Sequence, residues 1–149
     1  MTSETATRYF RGITVALPDA PRYRTLTDVV LAGSEDTQSD LYRSAQQRAE
    51  KEFGLKADRY ATTWFELSPD VLVPSDGPPL PLFWTLALGW HERAGHRQSS
   101  IWGDTLALPH DTRSGLLNLV RRMAVKDHGV REDHAVLSFT CGPARLGEA

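Results

Sequence analysis

The sequence predicts an α+β fold: two ββαβ units related by a pseudo-twofold, building a six-stranded, mostly antiparallel sheet with two helices. Three observations carry this. Asp36-Thr37-Gln38-Ser39-Asp40-Leu41 opens a segment running to Asp58. An ungapped counterpart, Asp111-Thr112-Arg113-Ser114-Gly115-Leu116, opens 75 positions later and runs to Asp133, with eight identities that include Ala49/Ala124, Lys51/Lys126 and Gly54/Gly129. Alternating large apolar residues mark strands on either side of both segments. A run with five prolines, Ser68 to Leu82, separates the copies. The repeats are therefore 8–67 and 83–141 with 68–82 as linker, in a single domain over 1–149. Convergent caps explain the terminal Asp, Thr and Gly matches. They do not explain equal helix lengths or the internal Leu, Ala and Lys.

Residues 1 to 7 are polar, and a strand starts at Arg8, with Ile13, Val15 and Leu17 on one face. Pro18-Asp19-Ala20-Pro21 is a turn, because proline fixes φ and aspartate bonds its own backbone. Arg22 to Ala32 returns as a strand, and Val29-Val30-Leu31 breaks the alternation near Asp28, which predicts a bulge there. The first helix starts at Asp36 or Thr37 and ends at Gly54, with Leu41, Ala45, Ala49 and Phe53 as a narrow apolar stripe. Ala61 to Leu67 completes the unit. Local alternation there buries Phe65 and Leu67, whereas the 75-residue register would bury Trp64, so a one-residue difference between the copies is expected.

The second copy opens at Phe83, with Trp84, Leu86, Leu88 and Trp90 alternating with smaller residues. A helix with Phe83, Leu86, Trp90 and Ala94 on one side is the competing reading of this window, and the repeat favours the strand. Arg93-Ala94-Gly95-His96 reads as a turn, Gln98 to Leu108 as the returning strand, Asp111 to His128 as the second helix and Ala135 to Cys141 as the last strand. On that helix Leu116, Leu119, Val120 and Met123, joined by Leu117 and Ala124, form the packing face, and Arg121, Arg122 and Lys126 suit its negative pole. His128 takes the place of Phe53, which assigns it to packing. Were the two returning strands irregular, the ferredoxin-like βαββαβ arrangement would remain.

A net charge of −2 with interspersed signs provides no global basic field for phosphate contacts. Cys141 is the one cysteine, which excludes an intramolecular disulfide and argues against cysteine-based zinc. Met1 to Thr7 does not read as a secretory signal, and the most apolar run, Leu80 to Trp90, is too short to span a bilayer, so a soluble cytoplasmic protein without membrane contact is expected.

No motif forces a chemistry, and no cofactor or catalytic residue is implied. His91-Glu92-Arg93-Ala94-Gly95-His96 approaches a zinc-protease motif, but the second histidine stands at i+5 with glycine between, which takes the imidazoles off one helical face. With His110 and Asp111, these residues form a ligand, metal or enzyme alternative; the plain reading of Asp111 is a helix cap. Arg8, Tyr9 and Arg11 with Arg22, Tyr23 and Arg24 interleave guanidinium groups and rings, as single-stranded nucleic-acid platforms do, provided the two groups lie opposite each other. The leading expectation is a non-catalytic accessory protein with a protein-protein interaction surface. Three of its four tryptophans, Trp84, Trp90 and Trp102, fall in one hairpin, and the partner is another protein or a second copy in a homodimer.

Overall fold

A computed structural model describes residues 6–18 and 22–147. Most of the first hairpin turn, Asp19 to Pro21, and most of the polar start therefore lie outside the described residues. The chain divides into two compact units, residues 1–70 and 71–149, each holding one β-β-α-β copy. The first contains β1 (Thr7–Leu17), β2 (Arg22–Ala32), α1 (Gln38–Phe53) and β3 (Ala61–Pro69). The second contains β4 (Leu80–Glu92), β5 (Gly95–Ala107), α2 (Arg113–Asp127) and β6 (Ala135–Pro143).

Each copy closes its own antiparallel sheet, ordered β2-β1-β3 in one and β5-β4-β6 in the other. The six strands thus form two three-stranded ladders among the described residues, not the one continuous sheet expected. The hairpin partner takes one edge of the first strand and the helical crossover delivers the third strand to the other, so the first strand becomes central. Both returning strands are regular, which removes the βαββαβ alternative.

Register identifies the repeat strand by strand. Thr7↔Ala32 and Leu80↔Ala107 begin the two hairpins, so β1 and β4 are offset by 73 while β2 and β5 keep the offset of 75. The two extra residues lengthen the second hairpin at its tip, where Glu92↔Gly95 leaves Arg93-Ala94 as a two-residue loop. Phe65 faces Ile13 and Phe139 faces Leu86, an offset of 74, which is the expected one-residue difference. Both copies also carry a bulge at equivalent places, between Thr14 and Val15 and between Ala87 and Leu88. Convergent capping would not reproduce a bulge.

The bulge expected near Asp28 is absent, since β1 and β2 pair without a shift. The alternation breaks there because a charged residue occupies an inward position, opposite Arg11. Pro69 and Pro81 lie in strands, so the segment between strands is shorter than 68–82. Pro69 ends an edge strand, and Pro81 precedes the β4–β6 ladder, which starts at Leu82; neither place needs the missing N–H. Gly95 and His96 belong to β5, not to the turn.

Helix starts are copied in detail. Thr37 and Thr112 accept from the N–H of Asp40 and Gly115, while the carboxylates of Asp36 and Asp111 accept from the N–H of Gly33 and Leu108. Gly54 and Gly129 stop the helices in the left-handed region at φ 66° and 68°. Ala45 and Ala49 let α1 approach β1 closely, over a core of Ile13 and Val15 with Leu17, Leu26, Tyr42, Phe53 and Phe65 packed around it. The buried residues of the second unit include Leu82, Trp84, Leu86 and Leu88 from β4 and Leu116, Leu117, Val120 and Ala124 from α2. Leu119 and Met123, expected inside, are exposed. His128 is also exposed and serves as the C-cap, not as a packing residue. Among the described residues no helix is long and apolar enough to cross a membrane.

Candidate functional site

The pleat sorts β4 into two faces. Leu82, Trp84, Leu86 and Leu88 are buried, and Phe83, Thr85, Ala87 and Gly89 share the other face with their β5 partners Asp104, Trp102, Ser100 and Gln98. On that second face Trp102 is 69 % exposed and Phe83 41 % exposed, with ring centroids 6.0 Å apart and planes tilted by 40°. Gln98, Ser100, Asp104 and Thr140 are exposed as well, so the rings are surrounded by polar groups. Aromatic rings bordered by polar groups are a composition enriched at protein interaction surfaces. β5 borders the sheet, so its outer backbone edge has no strand partner in the ladder.

The other two tryptophans of the hairpin play different parts. Trp84 is 5 % exposed, because it sits on the inward face opposite Gly103; a Cβ on that glycine would come within 2.8 Å of its ring. Trp90 is half-buried and donates its indole N–H to Glu92 Oε1 at 3.0 Å. That bond first, and then the charge of Arg97, hold the Glu92 carboxyl below its ordinary range. Of the three, Trp102 is the exposed ring.

The residues of the ligand or metal alternative do not converge. His91 and His96 face each other across the hairpin with rings 6.1 Å apart, and Glu92 pairs with Arg97 at 3.2 Å. His110 and Asp111 follow the far end of β5, whose 13 residues run ~40 Å. Among the described residues no cluster of three or more His, Cys, Asp or Glu could hold a metal. Around His110 and Asp111 a cleft of about 380 Å³ opens, lined also by Leu106, Leu119 and Arg122. Two of its polar groups are already engaged: Asp111 accepts from Leu108 N–H at 2.7 Å and Thr112 from Gly115 N–H at 3.1 Å. The plain capping role accounts for them.

The nucleic-acid alternative loses its geometry. Arg8, Tyr9 and Arg11 pair with Leu31, Val30 and Asp28, whereas Arg22, Tyr23 and Arg24 pair with Leu17, Ala16 and Val15 at the other end of the hairpin. Arg8 and Arg24 therefore stand seven residues apart along the ladder, ~24 Å. Arg11 is buried: it grips both carboxylate oxygens of Asp28 at 2.9 and 2.6 Å and donates to the Leu41 carbonyl and Ser44 Oγ of α1. Arg48 binds the same carboxylate. Burial acts to raise the Asp28 pKa, but the bonds and charges of Arg11 and then Arg48 outweigh it and lower the pKa below 3.8.

A group that the sequence assigned only to the helix dipole and a loop proves to be assembled. Arg121 of α2 donates Nε–H to His134 Nε2 at 2.9 Å, and His134 Nδ1 lies 2.7 Å from the Arg131 carbonyl. The sequence signal was present: Gly129 turns the chain at the end of α2, which returns His134 along the helix to the level of Arg121.

Comparison with protein-family models, with curated proteins and with solved structures returned no match.

Proposed function

We propose that the protein is a non-catalytic interaction protein that associates with a second copy of itself through the β5 border of its second unit. The observation that carries this is the Trp102–Phe83 pair, exposed beside an open strand edge. A second copy fits because antiparallel pairing of β5 with itself is self-complementary and closes as a twofold dimer, satisfying the same edge on both chains. It also keeps both Trp102 rings on one continuous face near the axis. The thirteen residues of β5 give an edge of ~40 Å along which backbone pairing can run. The polar residues around the rings supply the rim that such an interface has.

Light scattering across a concentration series tests this. The wild type should rise from 16.6 kDa toward twice that mass, while Trp102→Ala stays at 16.6 kDa with an unchanged circular dichroism spectrum. A wild-type mass of 16.6 kDa at every concentration up to about 1 mM, where even a weak dimer populates, would overturn the proposal.

A further inference from the structure

One outer side of α2 carries Asn118, Arg121, Arg122 and Lys126, and the segment leading into β6 brings Glu132 and His134 opposite them. The cleft between these two walls measures about 470 Å³. Its base is the Arg121–His134 bond. The Arg131 carbonyl accepts from His134 Nδ1–H, which leaves Nε2 as the acceptor for Arg121 Nε–H. The imidazole is thereby neutral and returns no negative charge to the guanidinium.

Arg121 is thus a half-buried cation whose neighbour fixes its orientation without neutralising it. Among the described residues it forms no ion pair, and its Nη groups bond to no acceptor. Burial pulls its pKa below the usual arginine value, as expected when nothing compensates the charge. Arg122, Lys126 and Glu132 likewise form no ion pair among the described residues. Three cations against one carboxylate leave an excess of positive charge around a concave space, part of it offset by the negative C-terminal pole of α2, with one guanidinium already fixed. The several equivalent oxygens of a phosphate can reach more than one of these cations at once and suit the fork geometry of arginine.

We propose that this cleft binds the phosphate group of a small phosphomonoester. Arg121 donates from the base through its Nη groups, and Arg122 and Lys126 close on the phosphate from the open side. His134 is a positioning residue that holds the Arg121 plane. The space exceeds what a phosphate group fills, which leaves room for the esterified alcohol beside Val125.

The test uses the full chain. Inorganic phosphate, glycerol 3-phosphate and glycerol are titrated in turn by calorimetry and by NMR of the His134 imidazole. Expected are saturable binding of both phosphates, tighter for the ester, silence with glycerol, and a His134 shift that tracks occupancy. The pair Arg122→Ala/Lys126→Ala, both solvent-exposed, should weaken binding by about tenfold or more, roughly what one lost charge-assisted contact gives. Absence of a saturable His134 shift with either phosphate, or equal affinity in the double variant, overturns the proposal. A phosphoserine peptide that binds where glycerol 3-phosphate does not would overturn the small-molecule assignment.

Discussion

The two copies place different chemistry at one structural position. In the first, the cross-strand pair Arg11↔Asp28 faces α1: a guanidinium bonded to a carboxylate, with Leu41 and Ser44 accepting from its Nη1. In the second, the equivalent pair is Trp84↔Gly103: an indole over a residue without a side chain. The backbone register is the same, and each pair fills the space with one large planar group. The difference lies in what holds that group. A buried charge needs its partner's charge, whereas a buried indole needs its partner's absence.

Substitutions that exchange these requirements should separate the two. Asp28→Ala leaves Arg11 buried and uncompensated and should lower unfolding stability by about 3–5 kcal/mol, read from urea denaturation; Arg11→Met/Asp28→Leu should restore much of it. Gly103→Ala adds one methyl where a Cβ meets the Trp84 ring at 2.8 Å and should cost about 1–3 kcal/mol. Equal losses in the two single variants would mean that charge compensation does not distinguish the copies.

The same contrast shows which parts of the molecule were legible in the sequence. Helix caps are local, since Asp36-Thr37 and Asp111-Thr112 bond groups within a few residues, and both helices with their ends were readable. The strands were readable as strands by alternation. Their grouping into two ladders was not, because it is decided by which edge the crossover reaches. Arg11 reads as a surface cation next to Tyr9 because its partner Asp28 lies 17 residues away, and only the hairpin register brings them together. The three hairpin tryptophans look alike in composition, yet one residue of phase puts Trp84 inside and Trp102 outside. Arg121 and His134, 13 residues apart, are marked in the sequence only by the turn at Gly129, which shows that the chain reverses but not which side chains then meet.

Arg11 and Arg121 also invite comparison, because one is held by a carboxylate and the other by an imidazole, and the two partners titrate in different windows. Burial, opposed by the Arg131 carbonyl and reinforced by the Arg121 charge, holds the His134 pKa below 6.5; Asp133 acts weakly the other way. The unfolded chain therefore takes up this proton first as pH falls, and stability is complete above 6.5 and declines below it until the folded form also protonates. Asp28, whose folded pKa is also depressed, contributes stability that is present above 3.8 and is lost as pH falls further. Thermal unfolding against pH should show both declines. His134→Gln, which keeps an acceptor for Arg121 but does not titrate, should remove the decline below 6.5 and leave the acid one in place.

The smallest effect concerns the turn before each helix, which both copies build with the same hydrogen bond, Asp36 N–H to Gly33 O at 3.2 Å and Asp111 N–H to Leu108 O at 3.0 Å. In the second copy Pro109 occupies the first central position and His110 the second, at φ 81°, the combination of a type II turn. That conformation suits glycine, and His110 is the one non-glycine residue with positive φ among those described. The strain is of the order of 1–3 kcal/mol, and glycine would relieve it while adding freedom to the unfolded chain worth roughly half to one. His110→Gly should therefore stabilise by about 1 kcal/mol in thermal denaturation, whereas Glu35→Gly, at the matching place in the unstrained turn, should destabilise slightly. If both substitutions destabilise, His110 is not strained, and the two turns are equivalent in energy as well as in hydrogen bonding.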